Sequence, residues 1–221
     1  MKTLVGCISV ILLGTSPVAG ADYYAGGIAA MATLSADGAS VVSAAGSQVS
    51  GYKPENGPAF NLFFGRYIKE YVSVQGNFIW NSNKLTLFSN AISSDSTSFY
   101  SETRNSSQAS VTGDVLVFFR NRASRLRPYL SVGAGLVHLQ SSQENITYLS
   151  GPATPPPAEF SANMAGLRVA VGIDVRLRKG FWLRYSFSET NSRNPISDRL
   201  SPPGSREFKN FQNLWGFVKE L

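Results

Sequence analysis

Apolar and polar residues alternate along much of the chain with a period of two. The sharpest run is 165–178. Ala165, Leu167, Val169, Val171, Ile173, Val175 and Leu177 are apolar, while Gly166, Arg168, Ala170, Gly172, Asp174, Arg176 and Arg178 are small or charged. Successive side chains of a strand point to opposite faces, so this run is a two-faced strand. Phe181, Leu183, Tyr185 and Phe187 against Trp182, Arg184, Ser186 and Ser188 repeat the pattern, as do Leu130, Val132, Ala134 and Leu136 against Tyr129, Ser131, Gly133 and Gly135. Val72, Val74, Phe78 and Trp80 follow the same rule, with Ile79 as the exception on the polar face. After residue 21 no window carries the i, i+3, i+4, i+7 spacing of an amphipathic helix. The pattern predicts eight strands, at about 22–35, 58–69, 71–88, 108–121, 126–141, 161–178, 180–191 and 207–221. Short connections at 69–70, 121–125 and 179–180 alternate with long ones at 36–57, 89–107, 142–160 and 192–206. That order is an up-and-down antiparallel meander.

Eight long strands need a closed sheet, because open edges of this length invite aggregation. A soluble barrel of the lipocalin kind puts its large apolar residues inside, whereas an outer-membrane barrel puts them outside. The face opposite the apolar one decides between them. It carries Arg168, Asp174 and Arg176 in one strand, Arg184 in the next, and Asp114 and Arg120 in another. Gly133, Gly135, Gly166 and Gly172 share that face and are expected to leave room for long Arg side chains. Glycine weakens a solvent-exposed strand, and a crowded interior gives it a reason. The expected fold is therefore all-β, a closed eight-stranded antiparallel up-and-down transmembrane β-barrel. Trp80, Phe119, Phe181, Tyr185, Trp215 and Phe217 lie toward strand ends, where aromatic girdles meet the membrane boundary.

The leader and the composition agree with an envelope location. Lys2, the apolar stretch 4–13 and the small residues Val18, Ala19, Gly20 and Ala21 fit a cleaved signal peptide over 1–21, with the barrel domain over 22–221. Ten apolar residues make about 15 Å of helix, half a bilayer core. The only cysteine, Cys7, lies in this leader, so no disulfide or cysteine-based metal site is expected. Only 15% of residues are charged and mean hydropathy is −0.05, which excludes a bundle of membrane-spanning helices.

Four segments carry a family resemblance. They are Arg127-Pro128-Tyr129-Leu130-Ser131-Val132-Gly133-Ala134-Gly135, the run 169–178, Trp182-Leu183-Arg184-Tyr185 and the C-terminal stretch 213–221. In their order and spacing the chain resembles the OmpA-type eight-stranded outer-membrane β-barrel family over its whole mature length. The resemblance implies an outer-membrane location, contact with outer-membrane lipids, a monomer, and insertion by the barrel assembly machinery through the C-terminal strand. That strand departs from the family by ending on Leu221 where Phe is usual, and by carrying Lys219 where an aromatic is common. No peptidoglycan-binding domain is expected after it.

Basic residues gather at the short turns. Arg66, Lys69, Arg122, Arg125, Arg127, Arg178 and Lys179, with Arg120 and Arg176 beside them, form an expected periplasmic rim opposed only by Glu70. Such a rim fixes the barrel's depth by snorkelling, and it also suits anionic head groups. Nucleic acid is not an expected partner, since no basic helix or RNA-binding strand signature accompanies the charge. The lone histidine, His138, shares parity with Leu136 and faces outward. On its own strand Ser142 would lie roughly 13 Å away, too far for a nucleophile–base pair. Ser107 or Ser110 of a neighbouring strand is the remaining candidate partner for a lipid A-modifying activity. No cofactor, metal or catalytic residue is expected. The function expected is a non-enzymatic envelope or surface-binding barrel that holds any ligand in its long extracellular loops. Its lumen is closed by Asp114, Arg120, Arg168, Asp174, Arg176 and Arg184. A small pore, a lipid A-modifying enzyme and a soluble lipocalin-like carrier are the alternatives.

Overall fold

The computed structural model describes residues 22–36, 40–42, 48–53, 55–92, 97–150, 158–195 and 207–221. The expected leader, and the proline-rich stretch 151–157, lie outside them. The strands are β1 (Tyr23–Ala36), β2 (Ser40–Val42), β3 (Gln48–Lys53), β4 (Glu55–Lys69), β5 (Val72–Ile92), β6 (Thr97–Phe118), β7 (Leu126–Ser150), β8 (Glu159–Arg178), β9 (Phe181–Arg193) and β10 (Glu207–Glu220). Eight of them form a ring in the order β5-β4-β1-β10-β9-β8-β7-β6, and the β5–β6 pairing closes it. Every neighbouring pair is antiparallel. The first and last strands pair from Tyr24↔Glu220 to Ala36↔Phe208, so the ring has no edge within its wall.

The face assignments follow the alternation. Val171, Leu130, Val132, Leu136 and Leu167 point out of the ring and are exposed, Leu136 at 69%. Asp174, Arg184, Ser131 and Ser186 point in and are buried. An apolar belt of this extent facing water would be an aggregation hazard, and facing lipid it is the required dress. The short connections sit where expected. Gly180 adopts φ 69° in the β8–β9 turn, a conformation that favours glycine. Bulges at Tyr67/Lys69 and Arg176/Arg178 mark the same rim.

Two expectations need correction. The 36–57 connection contains the β2–β3 hairpin, and β3 adds to β5 from Val49↔Asn90 to Lys53↔Thr86, so the described residues hold two strands beyond the ring of eight. The 89–107 and 142–160 connections are largely strand. The β5–β6 ladder runs without a break from Val72↔Val117 to Ile92↔Thr97, and β7 reaches Ser150. The outward apolar pattern stops near Trp80 and Leu136, where polar side chains take over the outer face. The backbone ladder does not need apolar side chains, so it continues. The wall is consequently lopsided: β5, β6 and β7 have 21, 22 and 25 residues, whereas β1, β9 and β10 have 14, 13 and 14.

Candidate functional site

The lumen is layered. At the end bearing the short turns it holds a cluster of aromatic and aliphatic side chains that includes Tyr24, Tyr67, Phe118, Tyr129, Trp182 and Val218. Arg127 is fully buried among them. Its guanidinium carbon lies 3.9 Å from the Phe118 ring centre, 5.2 Å from Tyr67 and 5.4 Å from Trp182, and Nη1 donates to Tyr67 Oη at 3.1 Å. Three ring faces supply the negative potential that a carboxylate would otherwise provide; a desolvated contact of this kind is worth about 2 kcal/mol.

Above this cluster Arg184 makes a bidentate pair with Asp174, Nε to Oδ1 at 2.7 Å and Nη2 to Oδ2 at 2.8 Å. Its third nitrogen, Nη1, donates to Gln75 Oε1 at 2.9 Å. The rings of Phe63 and Tyr129 flank it at 4.8 and 4.9 Å. Glycine makes this packing feasible: a Cβ at Gly172 would collide with the Tyr129 ring, and one at Gly65 with the Tyr24 ring. Gly172 and Gly65 therefore make room for aromatic rings, Gly133 for the Asp114 carboxylate, Gly135 for the neighbouring β6 backbone and Gly166 for Val137, and none for an Arg side chain.

A second pair, Arg168 with Asp114, lies on the next layer, and Asp114 also accepts from Thr112 at 2.9 Å and Ser131 at 3.1 Å. Around and above it come amides and hydroxyls. Asn61 and Gln75 donate to Asn77 Oδ1, Asn77 donates to Thr112, and Asn210 Nδ2 donates to Asn81 at 2.8 Å and to Gln108. Ser110 Oγ, Thr190 Oγ1, Gln212 Nε2 and Arg168 Nε are buried there without a protein partner. Such groups in one polar layer call for water.

Higher still the lumen turns apolar again, with Leu34, Leu85, Val137, Leu139, Met164 and Phe208 packed together. Beside them Arg104 and Glu102 form a buried ion pair, and Arg104 donates to Ser141 Oγ at 2.8 Å and to the Ala158 carbonyl at 3.2 Å. Glu102 stands above the apolar belt, since the outward residues around it are Ser101 and Thr103. Burial pushes its carboxyl above the ordinary range, against the pull of Arg104.

A family model described as the outer membrane protein beta-barrel domain matches residues 5–213. The chain belongs to that family. The Neisserial surface protein A has the same fold, with a TM-score of 0.57 at 12% identity over 90% of this chain and 97% of that one. The attachment invasion locus protein of Yersinia pestis aligns over 89% of this chain and 98% of its own, at 15% identity and a TM-score of 0.47. No curated protein sequence matches the chain. As an outer membrane β-barrel it resides in the bacterial outer membrane, and its apolar belt meets lipid.

Within this outer membrane barrel, the residues expected in the lumen divide. Asp114, Arg168, Asp174 and Arg184 lie inside as two pairs. Arg120 does not join them, because β6 ends at Phe118 and Arg120 is exposed in the turn that follows. Arg176 leaves the network too. It stacks over Trp182 at 4.5 Å and donates to the carbonyls of Ala123, at 3.0 Å, and Arg122. The basic rim is corrected at Arg127, which is the buried cation of the aromatic cluster rather than a rim residue. Lys69, Arg125, Arg178 and Lys179 are exposed at that edge, and Arg66 lies over the Tyr23 ring. Arg122 reaches across the mouth toward Asp22 at 3.8 Å and Glu220 at 3.7 Å, and stacks over Tyr67 at 4.2 Å.

His138 faces outward and its Nδ1 lies 2.7 Å from Asn163 Oδ1. Its cross-strand neighbour on β6 is Ala109. Ser110 points into the lumen and Ser107 pairs with Gln140, one row from His138 on the same face. Among the described residues no group of three His, Cys, Asp or Glu side chains is placed to hold a metal ion. The Glu102–Arg104 pair, the amide network and the upper apolar cluster were missed by sequence reasoning. The first fell in a presumed loop, the amides sit on polar faces that gave no reason to single them out, and the upper apolar cluster showed only as a shift of apolar parity at Val137 and Leu139.

Proposed function

We propose that this outer membrane barrel is a closed, non-enzymatic monomer that works through its outward-facing surface and extracellular strand extensions, not through its lumen. Arg184 carries the reading: paired with Asp174, bonded to Gln75 and flanked by aromatic rings, it is 1% exposed in the middle of the barrel. A continuous water path would have to pass it, pass Arg127 below and pass the Leu85–Leu139–Phe208 cluster above. An eight-stranded ring has an interior just wide enough for side chains. Short turns and both termini at the periplasmic side, with the tall β5–β7 wall outside, fit the topology of the class. A leader over 1–21, release of the 22–221 domain, and recognition of β10 by the assembly machinery complete the reading. The exposed cations at the periplasmic edge set its depth in the lipid by snorkelling. Planar-bilayer recording tests it: the refolded barrel should give no stable single-channel steps, and reproducible steps would overturn the closed lumen.

A further inference from the structure

Three charged side chains stand in one inward row across β7, β8 and β9: Arg127 is the cross-strand neighbour of Asp174, and Asp174 of Arg184. Two guanidiniums share one carboxylate, so the row carries a net charge of +1. Asp174 gives both its oxygens to Arg184, at Nε and Nη2. On Arg127 the same two nitrogens, Nε and Nη2, are buried with no protein partner, and Nη1 alone is bonded, to Tyr67. Nε and Nη2 form one edge of the planar guanidinium, the fork that grips an anion through two N–H groups at once. Trp182 belongs to the same cluster, with its ring 5.4 Å from the guanidinium carbon, and its Nε1 is also buried and unpartnered.

The surroundings do not cancel the charge. The Asp114–Arg168 pair above is balanced within itself. At the mouth below, Asp22 and Glu220 turn toward Arg122 at 3.8 and 3.7 Å, and Arg176 over the Trp182 ring adds a further cation. The rings of Phe118 and Tyr67 attract the Arg127 cation, but a ring face accepts an N–H bond only weakly. A buried cation without a counter-charge is strongly destabilising. One negative charge balances the row, and the unpartnered groups are all donors. A water molecule could accept from the fork but brings no charge, and a divalent phosphate would reverse the sign of the row. Arg127 is 0% exposed and Trp182 1%, so a lipid head group is too large.

We infer that the Nε–Nη2 edge of Arg127 and the indole N–H of Trp182 hold a small monovalent anion, chloride being the probe, as a structural ligand inside the barrel. The site requires only that Arg127 be enclosed, so single-channel steps in a bilayer would overturn the closed lumen without removing it. The test is urea unfolding of the full barrel in phosphatidylcholine vesicles, which carry no net charge. Chloride replaces gluconate, an anion too bulky for the site, at constant ionic strength. A ligand bound only by the folded state raises stability with its concentration. The urea midpoint of the parent should therefore climb with chloride, and that of Arg127→Met should not respond. Trp182→Phe, which keeps a ring and removes the donor, should weaken the apparent chloride affinity severalfold. A midpoint indifferent to chloride in the parent, the same climb in Arg127→Met, or an unchanged affinity in Trp182→Phe would overturn the site. Should the variants fail to refold, crystals of the parent grown in bromide decide it: an anomalous peak beside Nε and Nη2 of Arg127 is expected, and water or nothing there would contradict the inference.

Discussion

At the height of Val171 and Leu130 the barrel is apolar outside, and Arg168, Asp114, Ser131 and Ser188 line it inside. At the height of Leu85 and Leu139 the arrangement is reversed. Lys84, Asn105, Gln140 and Glu159 face out, and Leu34, Val137, Met164 and Phe208 fill the interior. The same strands run through both regions without a break. Only the solvent changes. Lipid takes the apolar side chains for the outer face and leaves the lumen to groups that must satisfy each other; water takes the polar ones and leaves a small conventional core. The lower region combines an aromatic and aliphatic cluster with two buried ion pairs and ring–cation contacts, and the upper one packs an aliphatic cluster beside the single Glu102–Arg104 pair.

The largest effect should come from breaking the lower region's charge balance. Asp174→Ala leaves Arg184 without its bidentate partner in an enclosed site and should cost about 3–5 kcal/mol in urea unfolding from lipid. Truncation in the upper core should come next: Leu139→Ala creates a cavity beside Leu85 and Phe208 and should cost about 2–5 kcal/mol, without altering insertion into the bilayer. Charge on the outer face should then separate the two regions cleanly. Val171→Arg should cost about 2–4 kcal/mol near the middle of the membrane. Asn105→Arg, outward in the upper region, should stay within about 0.5 kcal/mol of the parent. Equal costs for the two would abolish the distinction. The smallest effect concerns acid. Burial raises the Glu102 carboxyl above its unfolded value. Its contribution to stability is therefore full below the ordinary carboxylate range and is lost as pH rises through the raised value. Glu102→Gln should remove that part of the pH dependence, measured as unfolding midpoints from acid to neutral.

The lower region was legible because lipid imposes a strict rule. The run 165–178 names its own faces, and the parity of Asp114, Arg168, Asp174 and Arg184 follows from it. Arg127 shares the parity of Tyr129 and Ser131, which would have placed it inside. Its position beside Arg125 in a basic turn suggested a rim instead. The aromatic cluster that holds it takes Tyr67 and Phe118 from strands with apolar residues on both faces, where alternation is silent, and Trp182 from the polar face of an alternating strand. The upper region also left a signal, a slip of phase: in β7 the apolar positions are 130, 132, 134 and 136, and then 137 and 139. A slip without a turn residue marks a strand that leaves lipid for water. The Glu102–Arg104 pair lacks even that, since nothing apolar flanks it.

The boundary between the regions can be located by single cysteines, because Cys7 is the only cysteine in the sequence and lies outside the described residues. In intact cells a membrane-impermeant maleimide should label Gln140→Cys and Ser142→Cys, and leave Leu136→Cys, Val132→Cys and Arg125→Cys unlabelled. Labelling of Leu136→Cys, protection of Gln140→Cys, or labelling at Arg125 with none at Ser142 would contradict the account.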